Sequence, residues 1–257
     1  PIELVKPFFI IVLSLIITYE KFENFNLKFI LTLFLTLLIT SLLIIQPDLG
    51  QTLLIGLSWI ILIFISGINL LFLFLISAFG IITILYATIY IPKFEYIKNR
   101  LISFFNSETG THNFQSDKAI DSITSGGFFG KGIGEGVLKN RVPEAHTDYI
   151  ISVISEEFGA IFVIFIVLIF LFIAYKVLNR VLSEQDEFLK LSLVGLVSLL
   201  IIQTFIHIGV NIRLLPTTGM TLPFLSYGGS SLIGSSIIAG IILNFTRKDS
   251  TRNLKND

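Results

Sequence analysis

Three polar side chains that could take part in acid–base chemistry stand directly before a long apolar segment. Residues 141–159 read R-V-P-E-A-H-T-D-Y-I-I-S-V-I-S-E-E-F-G, which places Glu144, His146 and Asp148 in one short stretch. Charged groups at a membrane boundary are costly to keep and are usually functional. We predict that Asp148 is a general base or a ligand for a cation. The alternative is a helix N-cap at Thr147 or Asp148, since both side chains accept bonds from free N–H groups.

Two glutamates follow within or near the same apolar segment. Glu156 and Glu157 come about two helical turns after Asp148. Because neither carboxylate should face lipid, we expect one of them to face the interior of a helix bundle. It would belong there either to a polar site or to a salt bridge with a neighbouring helix.

Other candidate residues lie near the ends of apolar segments. Glu3 and Lys6 have the i,i+3 spacing of a helical pair, which indicates either a local ion pair or a lysine that meets an anionic headgroup or phosphate. Residues 46–50 read Q-P-D-L-G, which by itself is an ordinary turn containing Asp48.

A second uncharged segment is dense in proline and glycine. Residues 214–231 contain Ser226 and Tyr227 and precede the last apolar run. Irregular backbone at membrane depth is tolerated only where it is buried in protein or lines a water-filled cavity. We therefore expect this segment to line a cavity. His207, in the preceding apolar run, is expected to be a hydrogen-bonded interior histidine rather than a metal ligand.

A glycine-rich segment covers residues 126–136 and reads G-G-F-F-G-K-G-I-G-E-G. It lacks the G-K-[ST] ending of a P-loop and no strand is predicted before it, so neither a P-loop nor a Rossmann turn is supported. We expect either a nest of backbone N–H groups that binds an anion or an interfacial bend.

The composition is that of an integral membrane protein. The 257 residues are 53% hydrophobic and only 14% charged, whereas soluble domains carry roughly 25% charged residues. The formal net charge is zero, so nothing indicates a nucleic-acid partner. The chain contains no cysteine, which excludes disulfides and thiol catalysis.

We predict seven transmembrane helices and no β-structure. A span needs about 20 apolar helical residues. The predicted spans are residues 4–19, 29–46, two spans within the uncharged run 49–92, and then 149–175, 191–212 and 229–245. The break between the third and fourth spans is expected near residues 67–69.

The basic residues predict the orientation of these spans. Nine of the eighteen Lys and Arg residues lie in the tail at 247–257, after the fifth span, or between the first two spans. By the positive-inside rule these segments are cytoplasmic. The N-terminus, Asp48, a long loop at about 93–147 and the turn 213–228 then face outside. The basic residues of the long loop carry little weight, because long loops cross the membrane largely regardless of charge. Lys6 and Arg213 are the remaining exceptions to the rule.

These segments together resemble the SEDS family (shape, elongation, division and sporulation) of peptidoglycan polymerases. The matching stretches are residues 1–7, 46–50, 125–136, 143–159 and 215–231, in the family's order and over nearly the whole chain. P-E-A-H-T-D and G-M-T-L-P-F-L-S-Y-G-G-S-S resemble the cell-division member most. The stretch 113–141 is similar to its alphaproteobacterial form. Ile2 and Thr218 depart from the Ser and Lys that are usual at these positions. Because of Thr218, the elongation member of the family remains an alternative to the cell-division member.

The resemblance implies a single all-α polytopic domain over residues 1–257, with the long loop outside. The family has ten spans, so about three are expected to precede Pro1. The chain opens there without an initiator Met or a signal peptide.

The resemblance also assigns roles to particular residues. It makes Asp148 the catalytic aspartate. We hypothesise that Lys6, with Arg141, holds a pyrophosphate. The remaining supporting positions around the same outer cavity are Glu3, Asp48, Gln115, Glu144, His146, Glu156, Ser226 and Tyr227. No cofactor is expected other than a divalent cation, Mg or Mn, for which Asp148 is the candidate ligand.

The activity that the resemblance implies is polymerisation of lipid II during cell division. The expected partners are lipid II, a class B penicillin-binding protein, other division proteins and membrane lipids. Two alternatives of other classes are a lipid II flippase and a non-catalytic division scaffold. A transporter's site belongs near the midplane of the membrane, whereas Asp48, Glu144 and Asp148 are all predicted at one outer rim, which favours the enzyme.

Overall fold

The computed structural model describes residues 2–20, 25–68, 70–105 and 111–247. Across these ranges the chain is helical and contains no strand. The helices are α1 (Ile2–Thr18), α2 (Phe25–Ile45), α3 (Leu49–Ile65), α4 (Leu70–Tyr90), α5 (Glu95–Phe105), α6 (Thr111–Gly126), α7 (Ile150–Leu182), α8 (Glu187–Asn211) and α9 (Gly229–Thr246). Two short 3-10 turns, Pro92–Phe94 and Leu138–Arg141, complete the regular structure.

The long helices occupy the segments that the apolar runs predicted. Helices α2, α4, α7, α8 and α9 are long and apolar enough to cross a membrane. Helices α1 and α3, with 17 residues each, are shorter. The third and fourth predicted spans separate at the expected place, because α3 ends one residue before Ser66 and Gly67 follows with φ 90°. Asn69 lies outside the described residues. The count of seven spans stays a prediction.

Helix α8 forms the centre of the bundle. It contacts α1, α3, α7 and α9, and its side chains are buried along most of its length. The approach to α1 is close because Gly195 faces Ile10, whose side chain occupies the place of a Cβ atom at Gly195. Helix α4, in contrast, exposes most of its large apolar side chains. Buried side chains are therefore concentrated around α1, α3 and α8, and this packing holds the polar residues of these three helices in place.

The segment predicted as a long loop, residues 93–147, contains two helices. Helix α5 follows α4, and α6 packs along α7. Helix α5 is amphipathic, but charged residues of both signs around it indicate a loop when the sequence alone is considered. His112 lies in α6, but its side chain is outside the part of the chain that the structure describes. The side of the membrane on which this segment lies stays a prediction.

Helix α7 is interrupted at Gly159, which adopts φ 84° and ψ 171°. A single unbroken span was predicted here. The break leaves backbone groups without partners inside the helix, and the glycine-rich segment supplies the partners: the Ala160 N–H donates to Gly127 O (2.9 Å) and the Lys131 N–H donates to Glu156 O (2.9 Å). A Cβ atom at Gly159 would collide with the Phe128 carbonyl. Glycine is thus required by both its φ angle and its surroundings.

The glycine-rich segment is consequently a bend packed into the break of α7. Gly126 and Gly130 lie directly against the backbone of residues 155–158, with no room for a side chain. The N–H groups of Lys131 and Gly132 donate to carbonyls of α7. The segment is therefore a bend, as one of the two alternatives predicted, but its position at a membrane interface stays a prediction. The N–H groups of Gly134, Val137 and Leu138 donate to carboxylates of this chain's own Glu157 and Glu156.

Candidate active site

Polar residues from five helix ends meet at one end of the bundle. They come from the N-terminal ends of α1, α3, α7 and α9 and from the C-terminal end of α8. Asp148, before α7, lies within electrostatic reach of Asp48, Glu144 and Arg100. Asp48 is in turn within reach of Glu3 and Lys6. Five of the residues singled out in the sequence therefore share one region.

Asp148 lines a cavity of about 90 Å³. Arg100 of α5, Gln115 of α6 and Tyr149 contribute side chains to the same cavity. The remaining lining comes from Val210 and from the segment Thr217, Thr218, Gly219 and Met220. The prediction that the proline- and glycine-rich segment lines a cavity is confirmed for these residues. Arg100 had not been singled out by the sequence.

The surroundings of Asp148 make its carboxyl group a weaker acid than usual. Burial raises its pKa, the negative charge of Glu144 raises it further, and Arg100 acts in the opposite direction. The resulting pKa is about 6. A general base works best when its pKa lies near the operating pH, because it is then both largely ionised and still basic enough to accept a proton.

The backbone of Asp148 is held by Asn211, at the end of α8. The fully buried Asn211 side chain donates from Nδ2 to the Asp148 carbonyl oxygen (3.0 Å), and its Oδ1 accepts from the Ser152 N–H (3.2 Å). Asn211 therefore caps the first turn of α7 from a neighbouring helix. The sequence reading missed Asn211, although a polar residue at the end of an apolar helix was a usable signal.

The N-cap alternative for Thr147 and Asp148 is wrong. The N-cap residue of α7 is Tyr149, whose side chain makes no capping bond. The Thr147 hydroxyl donates instead to the Glu144 carboxylate (3.0 Å), in the turn that precedes the helix. Because Asn211 already satisfies an N–H of the first turn, a local cap is not needed there.

Ser226 and Tyr227 join the two loops that surround the site. The Ser226 hydroxyl donates to the Thr147 carbonyl oxygen (2.6 Å), and the Tyr227 N–H donates to the His146 carbonyl oxygen (2.9 Å). The side chains of His146 and Tyr227 are exposed and line a separate open groove of about 670 Å³. These residues support the loop carrying Asp148 and do not line its cavity.

Glu3 and Lys6 form a buried ion pair. Their side chains are 2.6 Å apart, and the Lys6 ammonium also donates to Gln203 Oε1 (2.9 Å). Gln51 Nε2 donates to the Glu3 carboxylate (2.8 Å). Because Lys6 is only 1% exposed, the local ion pair is confirmed and the ammonium is not presented to a phosphate. Packing of α1 against α8 and α9 produces this burial.

The same network reaches the segment that lines the cavity. Gln203 Nε2 donates to the Thr221 carbonyl oxygen (2.8 Å), and His207 Nδ1 lies 2.7 Å from the Met220 carbonyl oxygen. His207 is thus the hydrogen-bonded interior histidine that was predicted. Gln203, which the sequence reading missed, connects Lys6 to the backbone beside Asp148.

Asp48 caps α3 at the edge of this network. Its side chain accepts from the Gln51 N–H (3.1 Å), so the ordinary turn predicted at residues 46–50 is also a helix start. Burial raises the pKa of Asp48, and the Gln51 N–H and the Lys6 charge partly offset that effect.

Glu156 points away from the cavity of Asp148. It is completely buried, and its Oε1 accepts the N–H groups of Val137 and Leu138, both at 3.0 Å. Ser122 of α6 donates to Oε2 (2.9 Å), and the Lys131 ammonium lies 3.6 Å from Oε1. Of the two glutamates, Glu156 is the one that faces inward. Its partners include Lys131 of the glycine-rich segment, the two residues directly after that segment, and Ser122 of α6, so its assignment to the substrate site is corrected.

Arg141 also lies away from the cavity. It is exposed on the 3-10 turn before Val142 and is absent from the lining around Asp148. Across residues 2–20, 25–68, 70–105 and 111–247, no group of three or more His, Asp or Glu side chains is arranged to hold a metal ion. A divalent cation held by Asp148 stays a prediction, because such a cation can also be bound by one or two carboxylates together with substrate phosphates.

These features define a class of protein: a multi-pass helical membrane protein with a half-buried carboxylate in a polar cavity at one end of the bundle. Residues 1–251 match the family model FTSW_RODA_SPOVE, described as "Cell cycle protein". The chain belongs to the FtsW/RodA/SpoVE family, which is the SEDS family whose resemblance was noted in the sequence.

One similar relative is a protein of Caulobacter vibrioides named "Probable peptidoglycan glycosyltransferase FtsW". It is 34% identical over 253 residues, which cover 96% of this chain and 63% of the relative. The chain thus spans less than two thirds of the length of this relative.

Two solved structures have a similar fold. One is titled "Structural coordination of polymerization and crosslinking by a peptidoglycan synthase complex" and matches with a TM-score of 0.74 at 24% identity, over 97% of this chain and 71% of the other. The second is a mutant of the Rod shape determining protein RodA of Thermus thermophilus. It matches with a TM-score of 0.63 at 25% identity, over 96% of this chain and 64% of the other.

Proposed function

We propose that this protein is a division-type peptidoglycan glycosyltransferase that polymerises lipid II. The observation that carries the proposal is Asp148, a carboxylate with a pKa of about 6 in a cavity at one end of the bundle. The name of the Caulobacter relative supports the division role. Mechanistically, the 4-hydroxyl of an acceptor GlcNAc attacks C1 of the donor MurNAc.

Asp148 has the role of general base in this reaction. As the new bond between the acceptor oxygen and C1 forms, the hydroxyl proton passes to the Asp148 carboxylate. The bond between C1 and the diphosphate oxygen breaks, and the electron pair leaves with undecaprenyl pyrophosphate, so the anomeric centre inverts. Asn211 and Ser226 fix the backbone on both sides of the carboxylate, which keeps it oriented toward the reacting hydroxyl.

The proposal includes the arrangement in the membrane. Seven spans of a ten-helix family fold would place the Asp148 end of the bundle on the outer face of the cytoplasmic membrane. Residues 93–147 would be periplasmic and the tail 247–257 cytoplasmic. A class B penicillin-binding protein is the proposed partner, because one structural neighbour is titled as a complex that coordinates polymerization with crosslinking. Other division proteins and membrane lipids complete the set of proposed partners.

The alternative of lipid II transport has less support. Its motivation was a carboxylate inside the membrane at Glu156 or Glu157. Glu156 is instead bonded to the N–H groups of Val137 and Leu138, in a contact between α7 and the two residues that follow the glycine-rich segment. A carboxylate used in this way holds a loop and does not line a path for a substrate.

The test is polymerisation of lipid II by the full-length parent protein with its cognate transpeptidase. We expect glycan strands from the wild type and none above background from Asp148→Asn, detected by gel electrophoresis of labelled lipid II. The matched control is Asp121→Asn, because Asp121 is exposed on α6 and its carboxylate forms a surface ion pair with Lys118 (3.1 Å). Polymerisation at the wild-type rate by folded Asp148→Asn protein would remove Asp148 as the base.

A further inference from the structure

The leaving group of the proposed reaction is an anion that needs a positive partner beside Asp148. Breaking the bond to C1 leaves both electrons on a diphosphate oxygen, and developing charge of this kind is stabilised by donors fixed close to it. Asp148, Glu144 and Asp48 are all acidic, so the region would repel a diphosphate without a cation. The identity of that cation, inferred here, rests on the proposed function.

Three basic residues near this end of the bundle are poorly placed for the task. The Lys6 ammonium is buried and bonded to Glu3 and Gln203. Arg213 pairs with Asp117. Arg141 is exposed outside the cavity that contains Asp148.

Arg100 has the required position. Its side chain comes from α5, lines the cavity of Asp148 together with Gln115, and lies close enough to act on the charges of Asp148 and Asp48. One N–H of its guanidinium donates to the Thr217 carbonyl oxygen (3.3 Å), which orients the group along the cavity wall. A guanidinium has five N–H donors, so this single bond leaves others for a ligand.

We propose that Arg100, assisted by the Gln115 amide, binds the diphosphate of the donor substrate and stabilises it as it leaves. The planar guanidinium can donate two parallel hydrogen bonds to phosphate oxygens, which a lysine cannot match geometrically. Gln115, which lines the same cavity, adds a neutral donor. Arg100 thus takes the role that the sequence assigned to Lys6 and Arg141.

A purely electrostatic role toward Asp148 makes different predictions. If Arg100 served only to keep Asp148 ionised, its loss would raise the pKa of Asp148 and move the pH profile of the reaction upward, without changing affinity for a diphosphate. Binding of diphosphate in the absence of turnover therefore separates the two roles.

The experiment measures binding to the full-length parent protein in nanodiscs by microscale thermophoresis. The probes are undecaprenyl pyrophosphate and undecaprenyl phosphate, titrated separately. The variants are Arg100→Gln, which retains a donor for the Thr217 carbonyl, and Arg100→Lys, which retains the charge. The matched control is Lys98→Gln, because Lys98 is an exposed cation on the same helix.

We expect Arg100→Gln to weaken binding of the pyrophosphate by about tenfold or more and to abolish the preference for pyrophosphate over phosphate. Arg100→Lys should recover part of the affinity, and Lys98→Gln should stay within about twofold of wild type. Unchanged pyrophosphate affinity in Arg100→Gln would overturn the inference, as would an equal loss in Lys98→Gln. Because no turnover is needed, a protein that binds pyrophosphate through Arg100 but makes no glycan would contradict the proposed polymerase and leave this inference standing.

Discussion

Replacing Glu156 with alanine should release residues 131–138, the end of the glycine-rich segment and the two residues after it, from α7. The Glu156 carboxylate is completely buried and accepts the N–H groups of Val137 and Leu138 at 3.0 Å each, together with the Ser122 hydroxyl at 2.9 Å. Alanine leaves all three donors without this acceptor. The main effect should therefore be local opening of residues 131–138, because few bonds to α7 remain: the N–H groups of Lys131 and Gly132 donate to its carbonyls, and the Gly134 N–H donates to the Glu157 carboxylate.

The size of the effect follows from the two backbone N–H groups. Each buried donor that loses its acceptor costs about 1–3 kcal/mol, which gives about 2–6 kcal/mol for the pair. Because Val137 is exposed and Leu138 is only partly buried, water can replace much of the lost bonding, so we expect no more than the lower end, about 2 kcal/mol. That free energy corresponds to an about thirtyfold larger equilibrium constant for opening of the segment.

Hydrogen–deuterium exchange followed by mass spectrometry measures this opening directly. Peptides that contain residues 131–138 should exchange about thirtyfold faster in Glu156→Ala than in the wild type, whereas peptides from α8 should be unchanged. The control is Glu135→Ala, since Glu135 is an exposed glutamate in the same segment. Equal protection of residues 137 and 138 in the wild type and in Glu156→Ala would refute the reasoning that this carboxylate holds the segment.

Three further predictions concern the site and the break in α7. The initial rate of polymerisation should rise with pH through about 6, because only the ionised Asp148 accepts a proton. Glu144→Gln should move this midpoint to lower pH, because it removes a negative charge that raises the Asp148 pKa. Rates measured between about pH 5 and pH 8 check both statements, and an unmoved midpoint in Glu144→Gln would contradict the second. Gly159→Ala should lower the melting temperature by several degrees, because φ is 84° and the Phe128 carbonyl occupies the Cβ position, whereas Gly240→Ala, which meets open space in α9, should not. Asn211→Ala should destabilise the protein by about 1–3 kcal/mol. It should also reduce kcat more than it raises KM, because it frees the Asp148 backbone without removing a substrate contact. An unchanged kcat would argue against a positioning role for Asn211.

The positions of the helices were predictable because a bilayer imposes a simple rule on sequence. A span needs a long run of apolar residues, and the helices α2, α7, α8 and α9 lie where such runs occur. The interruption of α7 was not predictable from the same rule. An apolar run containing Gly159 has the same pattern whether the glycine is helical or has φ 84°, and only the glycine-rich segment packed against it distinguishes the two.

The cluster of acidic residues was predictable for a different reason. Asp48, Glu144 and Asp148 stand at the ends of apolar runs that enter the bundle from the same side, so chain connectivity alone brings them together. The direction of a side chain depends on packing that the sequence does not show. Lys6 and Glu156 were assigned to the substrate site for their charge, but α1 packs Lys6 against Gln203, and α7 turns Glu156 toward Val137 and Leu138. Arg100 was overlooked because it is one of several charges in a segment read as a loop.

Among the residues that the structure describes, the hydrogen bonds around Asp148 fix its backbone and leave its carboxylate oxygens free. Its carbonyl oxygen accepts from Asn211, and the neighbouring Thr147 carbonyl oxygen accepts from Ser226. Over the described ranges, in contrast, the Asp148 carboxylate accepts no hydrogen bond from the chain. Hydrogen bonds to a carboxylate stabilise its ionised form and lower its pKa, so their absence is consistent with a pKa of about 6. A carboxylate on a fixed backbone, with its oxygens free, can accept a proton from a substrate without first giving up a protein partner.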